Sequence, residues 1–479
     1  MTKYITYIIF FLIFFHQIKA QNLTAHSIDS SVQKFMKELK IPGCAVAILK
    51  DNTVVKLQGY GMASLEFDVP VTIKTKFLLD SQTKLFTAIA MMKLQEQGKM
   101  KLDDPINLYL DSIPALWKNV TIRNLLTHSS GIHDDYVPVY NDESLMEYSE
   151  QELYHHALQQ PLDFAPGSRV RYNNLGFFLA TVLIEKVTHV PYQTFMVDSF
   201  FAPLGLGSIS FAAQKEIVKN YATAYALEDD KIVHMRDYAL SQQGFSYMMK
   251  ASIEELAQFD KLFNEGKVIN KKSINEMRKF FVTNDHLTGI EEKLMQFQGI
   301  AYEINFMDGY TTYSKGGAAG TMYTQIPDLH LTVIILSNRL NDHVPMLTCQ
   351  LARIAEPALA YHQSVKDADT ALTTKMKHAF IDIMSGKFDS TEVNPKYFLL
   401  NSPDFYKERK KDVEQLTSFI YAGQHKMENR NLMLSGEHAD RVIVYNIKIG
   451  ELEFPEFFYL SDKGKILFLS NELYQRQYF

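Results

Sequence analysis

The sequence predicts a mixed α/β (α+β) fold, in which an antiparallel β-sheet is flanked by helices and carries a helical subdomain. Strand-like runs near residues 44–61 and 299–338 enclose a mainly helical stretch, so the two ends of this region can share one sheet. Charged segments and then three strand-like runs follow, which predict a small C-terminal α+β domain. The 479 residues are enough for two domains, which we expect at residues 21–362 and 365–479.

The first 20 residues have the pattern of a signal peptide. A basic Lys3 precedes the apolar run Tyr4–Phe15, whose 12 residues are too few to span a bilayer comfortably, and the small Ala20 suits a cleavage site. An uncleaved membrane anchor is the alternative. With cleavage near Ala20, we expect a secreted or periplasmic protein that keeps no stable membrane span.

Charge and cysteine content exclude several classes of partner and site. The formal net charge is −6, and removal of residues 1–20 takes away two lysines and no acid, which gives −8. A mildly acidic chain argues against nucleic acid as the main partner. Cys44 and Cys349 are too few for a disulfide scaffold or a cysteine-rich metal site. A single bridge between them stays open from the sequence.

The strands of the first domain are indicated by residue type and turn chemistry. Two β-rich runs in Cys44–Gly61 surround Asp51 and Asn52, which tolerate the backbone angles of a tight turn, so this stretch predicts a hairpin. Further strands are predicted in "GIAYEINF", "GTMYTQIPD" and "LHLTVIILSN". In the C-terminal domain, "KERKKDVEQLTSF" predicts a charged helical stretch, and "DRVIVYNIKIG", "EFPEFFYL" and "GKILFLS" predict strands.

Three helices are indicated by apolar residues at helical spacing. The first follows Ser81, and Gly98 provides its C-terminal stop. The others lie in "RVRYNNLGFFLATVLIEKVT" and in "NDHVPMLTCQLARIAEPALA", where Pro345 suits a first turn.

Ser81 and Lys84 lie three positions apart at the start of the first helix, so their side chains project from neighbouring positions on one face. A serine hydroxyl becomes a good nucleophile only when a base takes its proton, and a lysine serves as that base when burial or positive neighbours lower its pKa. A capping serine beside a solvated lysine is the alternative explanation of this spacing alone.

Two later clusters supply possible partners. Tyr172, Asn173 and Asn174 stand just before an apolar helix, and Lys315, with Gly316 and Gly317, stands ahead of a strand. A tyrosine can relay protons, an asparagine can bind a substrate amide, and glycines allow a ligand to approach the backbone.

In this order, S-x-x-K, Y-x-N and a lysine and glycine ahead of a strand resemble the motifs of the penicillin-binding protein and serine β-lactamase superfamily. The sequence is most similar to its branch of class C β-lactamases, D-alanyl-D-alanine carboxypeptidases and esterases. The resemblance covers roughly residues 28–360 and includes "IPGCAVAILKDN", "GKMKLDDPINLYL" and "VTIRNLLTHSSGI". It implies a β-lactamase/transpeptidase-like fold for the first domain.

The resemblance also implies roles for single residues. Ser81 would be the acylated nucleophile, Lys84 its base or base partner, and Tyr172 a participant in proton transfer. Asn174 would hold the substrate amide and the lysine.

For the strand motif, the resemblance implies that Lys315 orients a substrate carboxylate or tunes Tyr172, and that Gly317 lets the strand run beside the substrate. Backbone N–H groups of Ser81 and Ala318 would form the oxyanion hole. Gly316 departs from the pattern, because penicillin-binding proteins commonly place a Thr or Ser there. The missing hydroxyl argues against a carboxylate substrate, and the retained Lys315 argues for one.

Histidines invite two other interpretations. His128 stands in a turn that closes a helix, and we expect a structural role for it. His133, Asp134 and Asp135 lack helical ligand spacing, so we expect a solvated loop in place of a metal site.

We therefore expect an exported serine hydrolase that needs neither a metal nor an organic cofactor. Its expected substrate is a small molecule or a peptide, such as a peptidoglycan-derived peptide or a β-lactam, in which it cleaves an amide or ester bond. The alternatives are a class C-like β-lactamase and a sensor that binds penicillin or peptidoglycan without turnover.

Overall fold

The computed structural model describes most of the chain. The described residues are 26–134, 149–211, 217–235, 248–281, 290–291, 296–340, 344–359, 365–387, 389–394, 407, 410–411, 413–426, 433–434, 437–450 and 452–470. The predicted signal peptide and Asp135 lie outside them. Within the described residues, none of the helices combines the length and the hydropathy that are needed to cross a bilayer.

The first domain is built on a nine-stranded antiparallel sheet. Its order is β3-β2-β1-β13-β12-β11-β10-β9-β8, so the N-terminal hairpin pairs with the last strand of the domain, as the sequence predicted. Two two-stranded antiparallel sheets, β4 with β7 and β5 with β6, lie outside this sheet. The strands are β1 (Gly43–Lys50), β2 (Thr53–Ser64), β3 (Val69–Pro70), β4 (Lys76–Leu78), β5 (Tyr225–Glu228), β6 (Lys231–His234), β7 (Lys250–Ser252), β8 (Ile290–Glu291), β9 (Gln296–Gln298), β10 (Glu303–Met307), β11 (Tyr310–Gly317), β12 (Thr321–Ile326) and β13 (Leu331–Ser337).

The predicted N-terminal hairpin is confirmed. Asp51 and Asn52 connect β1 to β2 with positive φ angles of 50° and 60°, the left-handed backbone that these residue types accept most readily after glycine. Burial explains why β1 is almost wholly apolar, since it lies between β2 and β13 and is covered on both faces.

Helices cover both faces of the sheet. They are α1 (residues 26–38), α2 (Thr83–Glu96), α3 (Ile122–Leu126), α4 (Glu150–Ala157), α5 (Asn174–Thr188), α6 (Tyr192–Thr194), α7 (Ile253–Asn264), α8 (Lys271–Met277), α9 (Val344–Ala355) and α10 (Thr370–Met384). A π-helical segment, Phe195–Phe201, follows α6 directly. The predicted helices after Ser81, after Asn174 and around Pro345 are thus confirmed as α2, α5 and α9.

Two apolar cores separate the layers. The larger joins α2, α5 and α7 to one face of the sheet, and the smaller joins α1 and α9 to the opposite face. Cys44 lies in the smaller core and Cys349 at its edge, and neither forms a disulfide. Burial raises the pKa of the Cys44 thiol to about 12, so this sulfur stays protonated and unreactive.

The C-terminal region forms a separate sheet, as predicted. Its strands are β14 (Leu416–Lys426), β15 (Met433–Leu434), β16 (Glu437–Ile449), β17 (Leu452–Ser461) and β18 (Ile466–Ser470). The helical prediction for "KERKKDVEQLTSF" is wrong at its end, because its last residues belong to β14 and pair with β16. The Phe306 ring in β10 contacts the Tyr459 ring in β17 at 4.9 Å between centroids, which joins the two sheets.

A close backbone contact brings β11 against the turn that precedes α2. A Cβ atom added at Gly317 would lie 2.1 Å from the carbonyl oxygen of Leu79, and Thr321 Oγ1 donates a 3.1 Å hydrogen bond to the same oxygen. Any side chain at position 317 would therefore push the end of β11 away from Ser81.

We expect Gly317→Ala to destabilise the fold by about 1–3 kcal/mol, because the added methyl group overlaps backbone that has no freedom to retreat. Gly316→Ala is the matched control, since its Cβ would meet the flexible end of Met322 at 3.2 Å and the carbonyl oxygen of Thr321 at 3.4 Å, an ordinary van der Waals distance. Thermal unfolding of the two variants measures the difference. Equal melting temperatures would contradict the contact.

Candidate active site

Ser81 lies in a short 3₁₀ turn, Asp80–Gln82, which leads directly into α2. The Lys84 side chain is in the first turn of that helix, and its Nζ donates a hydrogen bond to Ser81 Oγ at 3.1 Å. The predicted contact of the two side chains is therefore present. Ser81 makes no capping hydrogen bond to the helix, so the capping explanation of this serine does not hold.

A residue that is distant in the sequence donates a second hydrogen bond to Ser81 Oγ. The Tyr172 hydroxyl donates to Ser81 Oγ at 2.8 Å. The ring of Tyr172 packs against the His128 ring at 4.6 Å between centroids, with 32° between the ring planes. The next residue, Asn173, is the N-cap of α5, accepting a bond from the Gly176 N–H at 2.5 Å, and this cap fixes the chain that carries Tyr172.

Burial favours the protonated form of Tyr172. Burial raises the pKa of Tyr172, and the nearby Lys84 charge opposes that rise. Lys84 Nζ and Lys315 Nζ lie 5.1 Å and 5.0 Å from the Tyr172 ring centroid, so the ring stands between two cations. The phenol consequently keeps its proton at neutral pH and acts as a hydrogen-bond donor.

His128 has a structural role in this arrangement. Its Nδ1 accepts the backbone N–H of Asn173 at 3.1 Å, and the ring is 1% exposed. Burial, followed by the charges of Lys315 and Lys84, holds the pKa of His128 well below 6.5. The imidazole is therefore neutral at pH 7, and its ring packs against the ring of Tyr172.

Lys315 reaches the site from the end of β11, where it is 1% exposed. Its Nζ donates to Glu303 Oε1 at 2.8 Å, which makes an ion pair between β11 and β10. Sequence reasoning missed Glu303. The only sequence signal was an acidic residue within the predicted strand "GIAYEINF", and nothing in the sequence tied it to Lys315.

Asn174 occupies the first position of α5, and its amide Nδ2 donates to Asp134 Oδ2 at 3.2 Å. Asp134 Oδ1 also accepts the N–H groups of Asn174 and Leu175, each at 2.9 Å, so this acid caps the helix together with Asn173. His133 pairs with Asp163 at 2.9 Å. The described part of the chain contains no group of three or more His, Cys, Asp or Glu side chains that could hold a metal ion.

The N–H groups of the predicted oxyanion hole converge on one side chain that sequence reasoning also missed. Backbone N–H groups of Ser81, Ala318 and Ala319 interact with the Asp80 carboxylate and lower its pKa, as does Lys84, although burial raises that pKa more. Asp80 has a φ of +48°, which is a left-handed backbone that non-glycine residues rarely adopt. Its carboxylate would compete with a substrate oxyanion for the same N–H groups.

Comparison with known protein families and curated proteins gives consistent matches. The Beta-lactamase family model matches residues 28–354. Protein flp from Staphylococcus aureus (strain NCTC 8325 / PS 47) is 26% identical over 247 residues, which are 50% of this chain and 49% of flp. The chain thus spans about half the length of this curated relative.

Solved structures share the fold. The octameric penicillin-binding protein homologue from Pyrococcus abyssi superposes with a TM-score of 0.60 and 22% identity over 91% of this chain and 96% of its own. EstCE1, a hydrolase with promiscuous acyltransferase activity, gives a TM-score of 0.61 and 21% identity over 69% of this chain and 99% of its own. The β-lactamase/transpeptidase-like fold expected from the motifs is therefore confirmed.

We expect Asp80→Gly to increase the rate at which a fluorophosphonate labels Ser81 by about tenfold or more, because a carboxylate that competes for the predicted oxyanion-hole donors is removed and one such donor is worth roughly 10²–10³ in rate. Glycine also accepts the positive φ of this position. Asp80→Asn keeps the shape and removes the charge, so a smaller increase is expected. Slower labelling of a normally folded Asp80→Gly protein would show that the carboxylate assists the reaction.

Proposed function

The chain belongs to the Beta-lactamase family, and from that membership we propose that it is an exported serine hydrolase that forms an acyl-enzyme on Ser81. The proposed substrate carries an amide or ester bond in a small molecule or a cell-wall peptide. Export to a periplasmic or extracellular space is part of the proposal, on the sequence pattern of residues 1–20.

One observation carries the proposal: Ser81 Oγ receives hydrogen bonds from both Lys84 Nζ, at 3.1 Å, and the Tyr172 hydroxyl, at 2.8 Å. Two proton-carrying groups within hydrogen-bond distance of a serine oxygen are what acyl transfer requires, because the serine proton must leave and the leaving group must receive one. The family model and the fold of a known hydrolase support the same chemistry.

Acylation follows from these contacts. Lys84, in its neutral form, accepts the Ser81 proton while Oγ bonds to the substrate carbonyl carbon, and the carbonyl oxygen becomes an oxyanion near the N–H groups of Ser81 and Ala318. Collapse of this intermediate breaks the bond to the leaving group. Tyr172 donates a proton to that group and recovers one from Lys84, so the step is balanced.

Deacylation reverses these roles. A water molecule loses a proton to the Lys84 and Tyr172 pair as its oxygen attacks the acyl carbon, and Ser81 Oγ leaves with that proton. The products are the free acid and the original serine. The raised pKa of Tyr172 supports its role as donor, and Lys84 is the group that first accepts the serine proton.

A test of the roles uses three variants. We expect Ser81→Ala to abolish labelling by a fluorophosphonate, and Lys84→Ala to reduce the rate of ester hydrolysis by roughly 10³ or more, since a lost general base has that effect. Lys93→Ala, in the same helix α2 but partly exposed, is the control and should keep the wild-type rate. Labelling that survives Ser81→Ala would disprove the nucleophile.

A second test separates turnover from capture. Wild-type protein is given p-nitrophenyl esters, nitrocefin and D-Ala-D-Ala peptides, and both product release and acyl-enzyme mass are measured. We expect steady product release from at least one amide or ester. A class C-like β-lactamase would turn over nitrocefin fastest. An acyl-enzyme that accumulates without product would support the sensor alternative.

A further inference from the structure

Lys315 is the cation that would bind a substrate carboxylate in this site, yet it already forms an ion pair with Glu303. Its Nζ lies 2.8 Å from Glu303 Oε1, and the lysine side chain is 2% exposed while that of Glu303 is 19% exposed. A buried ammonium held by a carboxylate at hydrogen-bond distance has little remaining attraction for a second anion.

The second lysine of the site has an acidic neighbour as well. Asp80 precedes the nucleophile, and its carboxylate lies close enough to Lys84 for each charge to influence the other. Each lysine of the site therefore has an acidic side chain in its surroundings, and for Lys315 that acid is within hydrogen-bond distance.

Among the described residues of the strand motif, none offers a group that could replace the lysine. Gly316 presents no hydroxyl, and a side chain there would point at Met322, in the core on the opposite face of the sheet. Within the described residues around Ser81, Lys315 is consequently the group best placed to recognise a carboxylate, and Glu303 is its partner.

We propose that Glu303 is a specificity-determining residue, which excludes carboxylate-bearing acyl groups by holding Lys315 in an ion pair and thereby selects esters or amides with an uncharged acyl group. The inference rests on the proposed function and narrows it. A substrate carboxylate near Lys315 would also face the Glu303 carboxylate a few ångströms away, which is unfavourable in a poorly solvated site. An uncharged acyl group leaves the pair intact.

The test compares two esters that share a leaving group. 4-Nitrophenyl butyrate has an uncharged acyl chain, and 4-nitrophenyl hemisuccinate carries a terminal carboxylate on a chain of the same length. We expect wild-type protein to have the higher kcat/KM for the butyrate. In Glu303→Gln the ratio of hemisuccinate to butyrate kcat/KM should rise about tenfold or more, equivalent to about 1.4 kcal/mol.

Two controls isolate the charge effect. Glu356→Gln removes the acid of another lysine pair, with Lys50, at the opposite end of the sheet from Gly317, and the ratio should stay within about twofold of wild type. The double variant Glu303→Gln/Lys315→Met also removes the lysine charge that Glu303→Gln leaves unpaired. Its ratio of hemisuccinate to butyrate kcat/KM should return toward the wild-type value. A ratio that does not change in Glu303→Gln, or a wild-type preference for the hemisuccinate, would overturn the inference.

A failure of the proposed function would look different. Hydrolysis of both esters that survives Ser81→Ala would refute the function and the inference together. If wild-type protein cleaves neither ester, calorimetric binding of phenylboronic acid and 3-carboxyphenylboronic acid replaces the rates. Stronger binding of the carboxylated compound in Glu303→Gln alone would support the inference, and equal preference in both proteins, or no binding at all, would overturn it.

Discussion

The contact between Gly317 and the carbonyl of Leu79 is the constraint on which the site depends. It brings the end of β11 against the backbone that leads into Ser81, and only a residue without a Cβ atom permits that distance. Because the contact is between two backbones, it fixes Lys315 and the N–H of Ala318 relative to the serine. The remaining site residues are placed by α2 and by the capped start of α5.

Charge balance is the second organising feature. The site collects two lysines beside a serine, and each lysine has a carboxylate close by, Asp80 for Lys84 and Glu303 for Lys315. Burying unpaired ammonium groups would cost several kcal/mol each, so these acids allow the lysines to stay in a poorly solvated position. The same acids define which substrate charges the site tolerates, which links stability to specificity.

Much of the fold and part of the site were predictable from the sequence. Helical spacing brought Ser81 and Lys84 together correctly, because a contact within one helical turn depends on local geometry alone. The β1–β2 hairpin followed from Asp51 and Asn52 for the same reason. Tyr172 was identified through its motif, and the motif carries information about a distant partner that periodicity does not.

Long-range pairing explains what the sequence did not reveal. Glu303 and Lys315 lie on neighbouring strands, β10 and β11, and their side chains form an ion pair although the backbone register pairs Glu303 with Ser314. No local pattern in the sequence indicates that contact. Asp80 interacts with the N–H groups of Ala318 and Ala319, which directly follow the end of β11. Asp134 was expected in a solvated loop. It instead caps α5 by accepting the N–H of Asn174, a residue that is distant from it in the sequence.

The sequence by itself determined the candidate nucleophile, Ser81, and the candidate base, Lys84, since residue type and helical spacing are local properties. Tertiary structure alone decided the charge environment of the site, because Glu303 reaches Lys315 from a neighbouring strand and Asp80 lies near backbone N–H groups that are distant in the sequence.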